Sequence, residues 1–150
     1  MDPVDLEPGA GQALAIADAV LTIKIGGASS GGRLSLLEGR FMPGGFAPVP
    51  HTHGEAHESF YVLEGRFAFR VGDDRFERGE GAVVHVPPGL LHGFTNAGDG
   101  PARLLVLHTP PLDRFFHEMA ALAADGPMDR TALAELMRAW DMTIPVPSDQ

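Results

Sequence analysis

Short apolar segments separated by turn residues constrain the fold of this 150-residue chain more than any other feature. From residue 20 onward, apolar runs end repeatedly at clusters of Gly, Pro, Asp or Asn. In residues 66–71, for example, large apolar side chains alternate with arginine and alanine, which is typical of a strand with one buried face. The predicted strands cover residues 20–25, 34–41, 59–63, 66–71, 75–78, 82–86, 92–96 and 102–108. Many short strands at this spacing predict an all-β sandwich or barrel.

The C-terminal part of the chain has a different pattern. Residues 112–124 carry apolar side chains at helical spacing and are followed by Asp-Gly-Pro, which ends a helix. Asp129 is a candidate N-cap for a second helix that runs to Trp140. We therefore expect an N-terminal lead-in over residues 1–19, a β-barrel over 20–111 and a helical tail over 112–150. The tail is predicted to pack on the barrel or on a partner.

Composition excludes several classes of function. The chain has no cysteine, so disulfides, thiolate nucleophiles and cysteine-bound zinc are ruled out, and a cytoplasmic location is expected. The formal net charge of −9 opposes a phosphate backbone, so we expect no nucleic-acid partner. The acidic N-terminus does not resemble a signal peptide, and no apolar run approaches the length of a membrane span. We therefore expect no membrane association.

Histidine and carboxylate side chains are concentrated in two short segments. Residues 51–58, with the sequence HTHGEAHE, carry three imidazoles and two carboxylates. A further histidine, His92, follows the Pro-Pro-Gly turn at residues 87–89. Imidazole and carboxylate together bind divalent transition metals, so this density indicates a metal site.

Strand parity narrows the choice of ligands. His51 and His53 share one face of a strand, because side chains repeat with a period of two. If Phe60 points into the barrel, Glu58 does so too, and His57 points outward or lies at a loop edge. Three imidazoles and one carboxylate suit Fe, Ni, Mn, Cu or Zn, and four protein ligands leave two positions of an octahedral metal for substrate, water or dioxygen.

The two segments resemble the two sequence motifs of the cupin superfamily. The matching residues of the first motif are Gly45, His51, His53, Glu58 and Gly65. Those of the second motif are Gly81, Pro87, Gly89, His92 and Asn96. The resemblance implies a small antiparallel β-barrel or jelly roll that holds one divalent transition metal through His51, His53, Glu58 and His92. The flanking sequences are also similar to small bacterial cupins grouped with quercetin dioxygenases.

The remaining histidines receive separate predictions. His57 is expected to be solvated or to contact a ligand, rather than to bind the metal itself. His85 is expected to line the pocket, whereas His117 is expected to be exposed. His108 is equally expected at the border of the cavity and on the protein surface. Residues 112–140 are predicted to serve as packing or dimer surface rather than as a catalytic lid.

Three functions are compatible with such a site, and two of them are enzymatic. The first is a dioxygenase-like oxidoreductase acting on a phenolic, flavonol-like or polyketide-like small molecule, with Glu58 as both ligand and general base. The second is a non-redox isomerase or polyketide cyclase that uses the metal as a Lewis acid. The third is a small-molecule sensing module that signals through a partner. A homodimer is expected, with the strand at 20–25 and the tail helices as contact elements.

Overall fold

The computed structural model describes residues 1–145, which form eleven strands and two helices. The strands are β1 (Gln12–Ile16), β2 (Ala19–Ile25), β3 (Ser35–Phe41), β4 (Thr52–His53), β5 (His57–Glu64), β6 (Arg66–Val71), β7 (Asp74–Gly79), β8 (Val83–Val86), β9 (His92–Asn96), β10 (Ala102–Thr109) and β11 (Met142–Thr143). The helices are α1 (Asp113–Ala124) and α2 (Arg130–Ala139). The predicted all-β jelly roll with a C-terminal helical appendage is confirmed.

Two antiparallel sheets enclose the core. The larger sheet has the strand order β1-β2-β3-β10-β5-β8, and the smaller sheet has the order β7-β6-β9. Phe60 of β5 joins them, because its ring centroid lies 5.5 Å from that of Phe69 in β6 and 5.4 Å from that of Phe94 in β9. Aromatic pairs at this separation bury large apolar areas, so the two inner faces form one continuous core.

Alternation along β5 places the predicted ligand on the inner face. Glu58, Phe60 and Val62 are buried, whereas His57 and Tyr61 are exposed. The parity expected from the sequence is therefore confirmed. As a result, a carboxylate faces the interior of the barrel at a position otherwise occupied by hydrocarbon side chains.

Two motif residues shape the strand connections. Gly65 lies between β5 and β6 with φ of 79°, and a Cβ atom there would lie 2.8 Å from the Cβ of Ala102. Only glycine adopts this conformation without strain and leaves that space free. The amide of Asn96 donates hydrogen bonds to the carbonyls of Phe41 (3.0 Å) and Gly100 (2.8 Å), so it fixes the end of β9 against β3.

The larger sheet begins within the segment predicted as the lead-in. β1 and β2 form an antiparallel hairpin that is connected by residues 17–18, and Ile16 lies opposite Ala19. Ile16 and Ala19 are fully buried. The strand predicted at residues 20–25 is therefore covered on one edge by β1, and it does not form an edge of the sheet.

The C-terminal tail packs on the barrel and returns to the predicted metal site. Asp129 caps α2, since its carboxylate accepts a hydrogen bond from the backbone N–H of Thr131 (3.2 Å). After α2, β11 pairs with β4, and Met142 lies opposite His53. Asp141 secures this return, because its carbonyl accepts from the N–H of Gly54 and its carboxylate from the N–H of residue 55, both at 2.9 Å. The last five residues of the predicted tail, 146–150, lie outside the described residues.

Neither α1 nor α2 is long and apolar enough to cross a membrane, and the same holds for any helix over residues 1–145.

Candidate metal centre

Four side chains converge in the interior of the barrel, and they are the four predicted as ligands. His51 precedes β4 and forms an isolated β-bridge with His92, the first residue of β9. His53 lies in β4 and Glu58 in β5. One possible ligand atom from each residue lies within 4.8 Å of the other three, and all four side chains are buried. The structure therefore brings together a compact set of three imidazoles and one carboxylate.

Backbone carbonyls orient two of the imidazoles. The Nδ1 atom of His51 lies 2.7 Å from the carbonyl oxygen of Val49, and that of His92 lies 2.9 Å from the carbonyl oxygen of Leu90. In each ring Nδ1–H donates to the carbonyl, so the neutral ring keeps its free lone pair on Nε2, which faces the cluster. This arrangement is characteristic of metal-binding histidines.

One contact among the ligand atoms requires a proton or a cation between its two atoms. The Nε2 atom of His92 lies 2.7 Å from Oε1 of Glu58, and the Nε2 atoms of His51 and His53 lie 3.2 Å apart. Because Nδ1–H of His92 is already used, a neutral His92 would direct its lone pair at a carboxylate oxygen. A proton or a cation must therefore lie in this contact. The donor set fits a divalent transition metal, which would replace the proton.

Protonation states in the cluster suit metal binding. Burial lowers the pKa of His51 to about 4, so this imidazole stays neutral at ordinary pH. Burial alone would raise the pKa of Glu58, but the charge and hydrogen bond of His108, with hydrogen bonds to His53 and His92, hold that pKa well below its usual value. Burial lowers the pKa of His92, yet its hydrogen bond and attraction to Glu58 outweigh this and raise it. Glu58 is thus ionised, and a proton bound to His92 would compete with a metal.

A fifth polar residue, His108, belongs to the site. The register of β10 against β5 places it opposite Glu58, and its Nε2 atom lies 2.6 Å from Oε2 of that carboxylate. Only 1% of its surface is exposed. The sequence left its position open, and the structure shows that His108 has the same parity in β10 as the buried residues Leu104 and Val106. His108 lies outside the four-residue ligand cluster.

The other three histidines lie away from the cluster. His57 and His85 are exposed on the outer face of the larger sheet, with Nδ1 of His57 3.3 Å from Nε2 of His85. The expectation that His57 is solvated is confirmed. The prediction that His85 lines the pocket is wrong, because its neighbours Val84 and Val86 point inward and the alternation of β8 turns His85 outward. His117, expected to be exposed, is half-buried on α1.

A cavity of about 70 Å³ lies next to the cluster. Its polar lining within residues 1–145 consists of the four clustered side chains and His108, and the rest of the lining is almost entirely hydrocarbon. The tail supplies a large part of it. The residues from this segment, hereafter the tail wall, are Leu112, Phe115, Phe116, Met119, Leu133, Met137 and Met142. The tail, predicted as packing or dimer surface, therefore also closes one side of the cavity.

Comparison with known proteins agrees with this architecture. The family model described as "Cupin domain" matches residues 37–108, which include all five polar residues of the cavity. An uncharacterized protein of Methanocaldococcus jannaschii is 32% identical over 81 residues, covering 54% of this chain and 64% of that protein. The chain thus spans less than two thirds of the length of the curated relatives that it matches.

Two solved structures illustrate the likeness in fold. The polyketide cyclase RemF from Streptomyces resistomycificus is 26% identical, with a TM-score of 0.60 over 70% of this chain and 78% of that chain. The protein TT1209 from Thermus thermophilus is 32% identical, with a TM-score of 0.50 over 53% of this chain and 74% of that chain. The family match, the jelly-roll fold and the buried His/Glu cluster together support assignment to the cupin superfamily.

Proposed function

We propose that this chain is a metal-dependent oxidoreductase that combines a small phenolic, enolisable or polyketide-like molecule with dioxygen. The observation that carries the proposal is the buried cluster of three histidines and one glutamate beside a nearly apolar cavity. A bound Fe, Ni, Mn or Cu ion would supply Lewis acidity and one-electron chemistry at this point. The flavonol-like substrates of the quercetin dioxygenase group belong to this proposal only if the cavity widens beyond its volume of about 70 Å³.

The protein would orient the bound metal and exclude water from the site. His51 and His92 would hold the metal through Nε2 atoms whose direction is set by backbone carbonyls, so little reorganisation accompanies binding. The hydrocarbon lining excludes water from the reacting groups and protects reactive species from hydrolysis. These two contributions match a reaction in which the cofactor performs the difficult chemistry.

Glu58 is the proposed general base. It is the one carboxylate in the lining described over residues 1–145, and its depressed pKa keeps it ionised. The same depression makes it a weak base while His108 is bound to Oε2. Proton uptake from a substrate hydroxyl therefore becomes favourable when the contact between Glu58 and His108 loosens.

Metal analysis combined with oxygen uptake tests the proposal. Protein purified without added metal is analysed by mass spectrometry and then assayed in an oxygen electrode with phenolic and 1,3-dicarbonyl compounds. We expect bound Fe, Ni, Mn or Cu and oxygen consumption that depends on substrate. Zn as the sole bound metal, with no oxygen consumption by any reconstituted form, would reject an oxidoreductase.

A non-redox cyclase or isomerase is the second candidate, and the likeness to the polyketide cyclase RemF favours it. The apolar lining matches the hydrocarbon body of a polyketide, which would need the cavity to widen, and the metal would act only as a Lewis acid. An activity assay under argon distinguishes the two candidates. A Zn²⁺-loaded cyclase converts its substrate without oxygen, whereas an oxidoreductase stays inactive.

A further inference from the structure

The polar atoms of the cavity are all gathered at one end. Around the metal cluster, His108 is the one additional polar side chain that lines the cavity in the described chain. Its Nε2 atom is bound to Glu58, while its Nδ1 atom is buried without a hydrogen-bond partner among residues 1–145. A ligand that enters this cavity can therefore satisfy polar atoms only near the metal and near His108.

The opposite side of the cavity is hydrocarbon. The tail wall contains only Leu, Phe and Met side chains, and the sheets add further aromatic and aliphatic residues such as Phe41, Phe94 and Val106. No lysine or arginine reaches the lining anywhere in the chain from residue 1 to residue 145. A carboxylate or phosphate directed at this wall would lose its hydration without gaining a partner, which is strongly unfavourable.

Size imposes a second restriction. A cavity of about 70 Å³ accepts a few water molecules or a compact organic ligand, but not a three-ring flavonol. A larger ligand requires the tail wall to move outward. The residue best placed to control this is Phe116, which is half-buried on α1 and has its ring centroid 5.7 Å from that of His108. Phe116 thus adjoins the polar end and belongs to the apolar wall.

We propose that this site selects a compact molecule with two neighbouring oxygen atoms at one end and an uncharged apolar body, and that the tail wall enforces this choice. The inference rests on the proposed function, whose substrate class it restricts. It disfavours sugar phosphates and dicarboxylates, because their second charged group would lie against hydrocarbon. It favours small 1,3-dicarbonyl and related enolisable compounds.

A matched pair of ligands tests the polarity of the site. Acetylacetone and malonate share the spacing of their oxygens, but acetylacetone carries methyl groups where malonate carries charged oxygens. Both are titrated under argon into Co²⁺-loaded protein, and binding is followed by the visible absorption of Co²⁺. We expect acetylacetone to bind at least about tenfold more tightly. Equal or tighter binding of malonate would overturn the proposal, provided that the protein retains its Co²⁺ through gel filtration.

A pair of variants tests the tail wall. Phe116→Ala should improve binding of 1-phenyl-1,3-butanedione relative to acetylacetone by about tenfold, because the added phenyl group gains space. Phe76→Ala is the control, since Phe76 is also half-buried but lines a groove on the smaller sheet instead of the cavity. An unchanged ratio of the two affinities in Phe116→Ala would show that the tail wall does not limit the size of the ligand. If that variant does not fold, Phe116→Leu provides the same comparison at smaller amplitude.

These measurements are independent of turnover. Acetylacetone binding without any oxygen consumption in air would leave this inference intact and count against the oxidoreductase. Oxygen consumption with dicarboxylates would support the oxidoreductase and overturn the inference.

Discussion

The two oxygens of Glu58 have different partners, and His108 takes one of them. Its Nε2 atom lies 2.6 Å from Oε2, whereas Oε1 faces His92 at 2.7 Å and His53 at 3.3 Å. Because β10 and β5 are paired at this position, the backbone holds the contact in place. Because His108 binds Oε2, only Oε1 of Glu58 faces the cluster.

Removal of His108 is expected to weaken metal binding although it is not one of the four predicted ligands. In His108→Leu the Oε2 atom loses its buried partner and the carboxylate is free to turn. We expect the dissociation constant for Zn²⁺, measured by competition with a chromophoric chelator, to rise by about 10- to 100-fold. His108→Gln should retain most of the affinity, because its amide can still donate to Glu58.

The matched control for this experiment is His85→Leu. His85 is exposed on the outer face of β8, so the same substitution there should leave the affinity for Zn²⁺ unchanged. Wild-type affinity in folded His108→Leu would contradict a positioning role.

The assignment of ligands predicts opposite results for two nearby histidines. His92→Ala removes a buried imidazole from the cluster and should lower the bound metal from one equivalent to a small fraction. His57→Ala removes an exposed imidazole that precedes Glu58 and should retain the full equivalent. Metal content by mass spectrometry after dialysis decides between them. Full metal content in His92→Ala would refute the assignment.

Stability of the metal-free protein should fall on mild acidification because of His51. Its pKa falls from 6.5 to about 4 on folding, so between these values the unfolded state binds a proton that the folded state does not. The free energy of unfolding therefore declines by up to about 3 kcal/mol as the pH falls through this range. The raised pKa of His92 changes the free energy of unfolding only above pH 6.5, and the lowered pKa of Glu58 changes it only below pH 4.5.

Urea denaturation in the presence of EDTA at several pH values isolates this effect. The wild-type protein should lose stability between pH 6.5 and 4, and His51→Gln should lose distinctly less, because glutamine does not titrate. Parallel pH profiles for the two proteins would contradict the proposed burial of a neutral His51.

The homodimer expected from the sequence stays a prediction. The outer face of the larger sheet exposes 43% of Tyr61 and 64% of Val83, which are paired across β5 and β8. We propose this face as the contact surface. Val83→Lys should then shift the protein towards monomer in sedimentation velocity experiments, and so should Val20→Lys, because Val20 is exposed on the same face in β2. Leu6→Lys, outside the sheets, is the control and should leave the association unchanged. A wild-type monomer at all concentrations would exclude the dimer.

The fold and the metal cluster could be predicted because each depends on local patterns. Alternation in β5 fixes the inward direction of Glu58, and the spacing of His51 and His53 places both on one face. The turn at Gly89 allows His92 to return beside them. These relationships depend on the period of a strand and on turn chemistry, which are written in short stretches of sequence.

The remaining features depend on tertiary pairing. Residues 104–107 of β10 are apolar on both faces, so the sequence before His108 contains no alternation to show that it points inward. β1 has the sequence QALAI, with two alanines, which have weak strand preference, and it becomes a strand through pairing with β2. The tail wall arises because α1 and α2 fold back over the barrel, which periodicity within each helix does not indicate.

Weakening the return of the tail should loosen the site. Asp141→Ala removes the carboxylate that accepts from the N–H of residue 55, next to the β4–β11 pair. We expect a modest loss of stability, about 1 kcal/mol, and faster extraction of metal by EDTA in a stopped-flow experiment. Asp141→Asn keeps an acceptor and should behave like the wild type. Identical extraction rates in all three proteins would show that this contact of the tail does not affect the release of metal.

The pairing of β11 with β4 also has a consequence for assembly. The strand that carries His53 receives its neighbour from a part of the chain that is synthesised long after the four predicted ligands. An ion bound by the ligands before the tail closes would leave more slowly once β11 pairs with β4. The pairing of the tail would therefore set how quickly the site exchanges one metal for another, whereas the ligands set which metal it prefers.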